Sequence, residues 1–147
     1  MSDNLNTFSK QVVEILPVFF REFAQREDNE LTRGKISFPQ MVALDFAARR
    51  PRATMTALAD VLSIRMSSAT VLIDRLVRQR MLERRRDEKD RRVVWVSATA
   101  KGRRVIAQIM DQKRRSVKDI FRHLTARERA HYLHALLKVN AYLKCKS

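Results

Sequence analysis

At 147 residues, 45% of them hydrophobic, the chain is large enough for one domain with a real core and short for two independent ones. Two Gly and three Pro leave little turn chemistry for an all-β fold and favour helix. Thirty-one Lys and Arg against sixteen Asp and Glu give a formal net charge of +15, which points to a polyanion, either nucleic acid or an anionic membrane surface.

The first predicted helix runs from Leu5 to Glu27, with Phe8, Val12, Ile15, Leu16, Phe19 and Phe23 at helical spacing. Pro17 lies inside it and removes one backbone hydrogen bond, so a kink is expected there. An aromatic stripe of this kind usually buries area in a core or against a partner chain, rather than lining a ligand box. Residues 28–35 are polar, contain Gly34 and read as a loop. Ser37-Phe38-Pro39-Gln40 has the capping-box pattern, and the helix it starts runs to about Arg49, burying Met41, Leu44 and Ala48. Pro51 stops it. Arg49, Arg50 and Arg52 suit phosphate contacts or simple complementation of the helix dipole; the sequence leaves both readings open.

From Thr54 to Gly102 the pattern changes. A short helix begun by Thr54 or Thr56 buries Leu58, Val61 and Leu62, and Ser63-Ile64 leave only a tight turn after it. A second helix buries Ala69, Leu72, Ile73 and Leu76 and shows Ser67, Thr70, Val71, Asp74, Arg75 and Arg78 on the other side. Leu82–Arg85 and Val93–Ser97 then read as two strands of a hairpin with a basic tip. Helix, turn, helix and hairpin make the layout of a winged helix-turn-helix. Beyond it, Thr99 caps a long helix carrying Val105, Ile106, Ile109, Met110, Ile120, Phe121 and Leu124. Thr125-Ala126-Arg127-Glu128 is a second capping box, opening a last helix with Leu133, Leu136, Leu137 and Leu143.

Catalytic signatures are lacking: the chain has no Gly-rich phosphate loop, no nucleophile elbow and no H-E-x-x-H, and an enzyme is not expected. His131 and His134, with Glu128, share a helix face, but a metal site needs further ligands that nothing marks out, so a solvated face is the simpler reading. Cys145 sits between Lys144 and Lys146 near the end, where a redox role is possible in principle and fraying is the usual state. A single Cys, no signal-peptide pattern and no apolar run near the ~20 residues of a membrane span suit a cytoplasmic protein, nucleoid-associated when bound to DNA, with no membrane partner.

The stretch resembles the DNA-binding core of the MarR/SlyA family of bacterial transcriptional regulators. The resemblance is carried by Leu58-Ala59, Ser67-Ser68, Thr70, Asp74-Arg75-Leu76, Glu83-Arg84, Asp90 and Arg92 of the wing, and Thr99-Ala100-Lys101-Gly102. Two positions depart from the family pattern: Arg80 stands where a Gly is usual, and Val71 where a basic residue is frequent. The resemblance implies a mainly α fold with a small β-hairpin wing. A winged helix-turn-helix over residues 36–102 would join a helical dimerisation region over 5–35 and 103–147, in one domain spanning 1–147. It also implies a homodimer, no cofactor, and a small aromatic or phenolic effector.

The candidate DNA-binding residues are Thr54, Arg65, Ser67, Ser68, Thr70, Val71, Arg75, Arg86, Lys89, Asp90, Arg91 and Arg92. Short hydroxyls near the start of a helix reach bases or phosphates, and Val71 suits a thymine methyl. Six cations in the nine positions 84–92 repel one another unless phosphates or a narrow minor groove relieve them. The resemblance puts Arg92 at the minor groove or its rim, with Asp90 holding it in place. The expected function is a sequence-specific transcriptional regulator, a repressor, acting on double-stranded DNA sites. The alternatives are a sequence-indifferent architectural DNA binder, for which charge alone suffices, and a membrane-surface protein with a basic amphipathic helix.

Overall fold

Side-chain caps decide where several of the helices begin. The structure, a computed structural model, describes residues 4–25 and 33–145. Helix α1 spans Leu5–Gln25 and passes through Pro17 without interruption; Glu27 lies outside the described residues, as do 28–32 of the loop. Helix α2 spans Phe38–Arg49. Ser37 starts it with a complete capping box, its Oγ accepting the Gln40 amide at 3.4 Å while the Gln40 carboxamide oxygen accepts the Ser37 amide at 2.9 Å. Strand β1 is only Ala53–Thr54 and leads into α3, Met55–Leu62, where Thr54 Oγ1 accepts the Ala57 amide at 3.1 Å. Ser63 takes the left-handed conformation at φ +52° and turns the chain into α4, Met66–Arg78. Strands β2 (Leu82–Arg86) and β3 (Val94–Ala98) form the wing, followed by α5 (Ala100–Phe121) and α6 (Ala126–Lys144).

The sheet is antiparallel in the order β1-β3-β2. The sequence predicts the hairpin within one residue at its ends but not β1, which is too short to show an alternation. Ile36, Leu44, Leu58, Ile73, Leu76, Leu82, Val96 and Ile109 are fully buried at the centre of the core. Several burial expectations need correction, and Leu62 and Leu72 are only half-buried against the edge of the core. Val61 is exposed and Ala59 is buried in its place, because an eight-residue helix turns only a narrow face inward. On α2 it is Ala47, one turn from Leu44, that is buried, and Ala48 lies at the edge.

The chain divides into two compact units, 1–112 and 113–147. In the second, Thr125 and Glu128 form the capping box that starts α6, Arg129 donates to the Leu124 carbonyl, and the Phe121 and Tyr132 rings stand 5.0 Å apart. No residue of α6 is buried, and none of α1.

Helix α4 ends under a clasp. Arg80 follows it at φ +58°, and the Arg80 carbonyl accepts the Thr99 hydroxyl at 2.7 Å. The Thr99 amide donates to the Met81 carbonyl at 3.0 Å, Thr99 Oγ1 accepts the Gly102 amide at 3.0 Å, and Lys101 Nζ donates to the Gln79 carbonyl at 2.9 Å. The Thr-Ala-Lys-Gly segment thus holds the exit of α4 and the entry of α5 together. A left-handed non-Gly residue costs about 1–2 kcal/mol, part of which Gly returns as chain entropy in the unfolded state. Arg80→Gly keeps every backbone bond of the clasp and is expected to stabilise the protein by roughly 0.5–1 kcal/mol, a rise of about 1–4 °C in Tm. A lower melting temperature would show that the Arg80 side chain contributes more than its strain costs.

Candidate nucleic-acid interface

The exposed side of α4 is built by helical spacing: with Ala69, Ile73 and Leu76 fully buried, Ser67, Ser68, Val71, Arg75 and Arg78 are left outside. Val71 is 67% exposed, so its isopropyl group is free to meet another surface. Arg65 occupies the N-cap position and makes no side-chain cap bond, leaving the first amides of α4 open to an anionic oxygen. Thr70 Oγ1 donates to the Met66 carbonyl at 2.9 Å, so the hydroxyl turns its acceptor lone pairs outward. Ser68, Val71, Arg75 and Arg78 also line a groove of ≈ 600 Å³ shared with Ser37 and Gln40 at the start of α2. Ser37, Gln40 and Arg78 are absent from the candidate set; the distance in sequence between α2 and α4 hid their meeting.

Register sorts the wing cations. Leu82, Arg84 and Arg86 pair with Ala98, Val96 and Val94 on one face of the hairpin, and Glu83 and Arg85 with Ser97 and Trp95 on the other. Arg84 therefore points the same way as the buried Leu82. Its guanidinium makes an ion pair with Asp74 on α4, and its Nη2 lies 3.9 Å from Met55 Sδ on α3. Arg84 is a brace between wing and helix α4, not a free cation of the tip. The signal was available: in a period-2 strand an Arg in phase with a core Leu needs a partner.

At the tip, residues 87–93, hydrogen bonds close a compact turn. Asp87 Oδ1 accepts the Lys89 amide at 2.8 Å and the Asp90 amide at 3.0 Å, and its Oδ2 accepts the Trp95 indole N–H at 2.7 Å. The Trp95 indole first, then the Asp90 and Lys89 amides, hold the Asp87 carboxyl below the ordinary carboxylate range; burial opposes them and the Arg52 guanidinium adds to them. Asp90 Oδ1 accepts the Arg92 amide at 3.0 Å, so it acts on the backbone of Arg92 and leaves that side chain exposed. Arg86, Lys89 and Arg91 are exposed as well. Thr54 and Thr56 come together with Arg92 around a hollow of ≈ 290 Å³, which joins the start of α3 to the wing.

The cations that follow α2 are engaged locally: Arg49 pairs with Asp45 at 3.0 Å, Arg50 lies 4.2 Å over the Phe46 ring, and Arg52 lies 5.9 Å over Trp95. His123, His131, His134 and Cys145 are exposed, and among the described residues no three His, Cys, Asp or Glu gather as a metal site would require. No single described helix is long and apolar enough to cross a membrane.

Comparison with known proteins agrees with this geometry. A sequence profile of the MarR family matches residues 35–93, from just before α2 to the last residue of the wing tip. The uncharacterized HTH-type transcriptional regulator YsmB of Bacillus subtilis (strain 168) is 29% identical over 116 residues, covering 79% of this chain and 80% of that one. Among solved structures, Streptococcus pneumoniae FabT in complex with DNA superposes with a TM-score of 0.82 at 22% identity, over 98% of this chain and 100% of FabT. A MarR family protein from Bacillus stearothermophilus superposes with a TM-score of 0.77 at 24% identity, over 97% and 99% of the two chains. Likeness at this identity is likeness of fold: mostly helical, with a small three-stranded antiparallel sheet at the wing.

Proposed function

We propose that this chain is a DNA-binding transcriptional regulator of the MarR family, working as a homodimeric repressor that reads a pseudo-palindromic operator and responds to a small effector. The observation that carries the DNA part is the Arg84–Asp74 ion pair, which joins the wing to α4. Ser67, Ser68, Thr70, Val71 and Arg75 on α4 stand beside a wing bearing Arg86, Lys89, Arg91 and Arg92, with Arg84 bracing wing to helix through Asp74. Helix α4 enters the major groove; its hydroxyls and Val71 meet bases, and the wing follows the backbone into the minor groove. A dimer sets two such helices about one DNA turn apart, ~34 Å, so the operator repeats the symmetry of the protein. Exposed apolar side chains along α1 and α6 supply the surface for the second copy.

Effector control rests on the family: a small aromatic or phenolic acid that binds better to a dimer with mismatched helix spacing lowers operator affinity by shifting that population. The regulator works in the cytoplasm, on the nucleoid. Selecting duplexes from a random pool with the purified protein tests the central part. A palindromic motif supports the reading, and enrichment without a motif replaces it with a sequence-indifferent architectural binder.

Single substitutions separate the two kinds of contact. Arg91→Ala is expected to weaken binding to every sequence and lower the salt slope by roughly one unit per subunit. Arg92→Ala does the same and also loses preference for A·T-rich flanks. Val71→Ala changes preference at one or two base pairs by about 1 kcal/mol and leaves the salt slope alone. Affinities on matched operator variants at several salt concentrations read all three. If Val71→Ala and Arg92→Ala bind like the unsubstituted protein, both the helix and the wing assignments fail.

A further inference from the structure

We propose that Asp87 is a positioning residue for DNA binding: by locking onto the Trp95 indole it sets the shape of the wing tip that presents Arg91 and Arg92. The inference rests on the reading of the wing as a DNA-contacting element and names what keeps that element in shape. Asp87 is an odd residue to find there, since a carboxylate beside Arg86, Lys89, Arg91 and Arg92 subtracts from their attraction for phosphates. Its contacts give it another task. One oxygen gathers the Lys89 and Asp90 amides, which folds the tip; the other takes the indole N–H at 2.7 Å.

Trp95 belongs to β3, the central strand of the sheet, held by β1 on one side and β2 on the other. Arg52 covers its ring at 5.9 Å. The indole bond therefore ties the tip to the most constrained strand of the wing. The tip's base is closed by backbone bonds from Asp87 to the Val93 carbonyl and from Val93 to the Asp90 carbonyl, both 2.9 Å. Asp90 then fixes the Arg92 amide. Without a tie, mutual repulsion of Arg86, Lys89, Arg91 and Arg92 favours a splayed tip, and ordering it on DNA would cost affinity.

The test exploits a difference in sign. Asp87→Asn keeps one acceptor oxygen, and its NH2 group faces either the indole N–H or the two backbone amides, so one set of these bonds is lost in either orientation. It also raises the net charge by one unit, so charge alone makes it bind DNA more tightly. Trp95→Phe removes the indole N–H together with part of the ring that Arg52 covers, and changes no charge. If the lock positions the tip, each variant binds operator about three- to tenfold more weakly, and the double variant is no weaker than either single one. Trp95 is the only tryptophan in the chain, so a change in its emission in Asp87→Asn reports the broken lock directly. Thermal melts are expected to stay close to the unsubstituted protein, because the tip lies outside the core. Tighter or unchanged binding by Asp87→Asn overturns the proposal, and so do additive effects in the double variant. Arg92→Ala run alongside separates the two levels: weakening there with no effect of Asp87→Asn or Trp95→Phe sinks the lock alone. An inert Arg92→Ala sinks the wing reading, and the lock with it.

Discussion

Gly102→Ala is expected to destabilise the protein by about 3 kcal/mol, the upper end of what an added methyl costs in a packed site. A Cβ at this position would lie 2.0 Å from the Met81 carbonyl oxygen and 2.9 Å from its carbon. Both are backbone atoms, so no rotamer change relieves the clash. The first turn of α5 has to move away from Met81, and that movement pulls on the Thr99 and Lys101 bonds that hold the end of α4. The effect therefore reaches the helix that carries the candidate base contacts. Urea unfolding measures it, and a Tm lower by about 6–12 °C is the corresponding thermal result. Gly34→Ala serves as the contrast. That site is open, with only its φ of +69° at stake, so about 1 kcal/mol is expected there. Equal, small effects at the two glycines would show that α5 tolerates the displacement and that the clasp is not rigid.

If the chain works as the proposed homodimer, Leu133→Asp together with Leu137→Asp is expected to leave a monomer and reduce operator affinity at least ~100-fold. Tyr132, Leu133, Leu136, Leu137, Val139, Tyr142 and Leu143 are each between 46% and 59% exposed on α6, and no residue of that helix is buried. Positions 133 and 137 are one turn apart, so two carboxylates there place charge in the middle of any apolar contact the helix makes. Sedimentation should change from about twice 17.2 kDa to the mass of one chain. Linked half-sites bind far more tightly than separate ones because the second contact is intramolecular, and a monomer forfeits that gain. A monomeric variant that keeps full operator affinity would end the dimer mechanism. A variant that stays dimeric would move the interface away from α6.

Residues close together in the chain determined much of this protein without help from the fold. Ser37 with Gln40 and Thr125 with Glu128 are capping boxes because each pair lies one helical turn apart, and both form as the sequence predicts. The buried face of α4 follows from its 3.6-residue period, and the hairpin from alternation on either side of a polar turn. The expected DNA surface was legible for the same reason: charge and helical phase place Ser67, Val71 and Arg75 outside.

Tertiary structure decided what depends on residues meeting from afar. Strand β1 has no local signal and exists because Ala53 and Thr54 find Val96 and Trp95. Arg84 reads as one more tip cation until Asp74, ten residues back on another element, is seen to hold it. Asp90 reads as the residue that orients Arg92, and the turn shows that the contact is made to the Arg92 amide. Val61 and Ala59 exchange places because the packing of a two-turn helix, rather than its hydrophobicity, selects the inward face. A cap or a period is satisfied within about four residues, so sequence contains the whole interaction. A brace or a strand pairing gains its free energy only after the chain has closed a loop, and which partners then meet is set by the packed core.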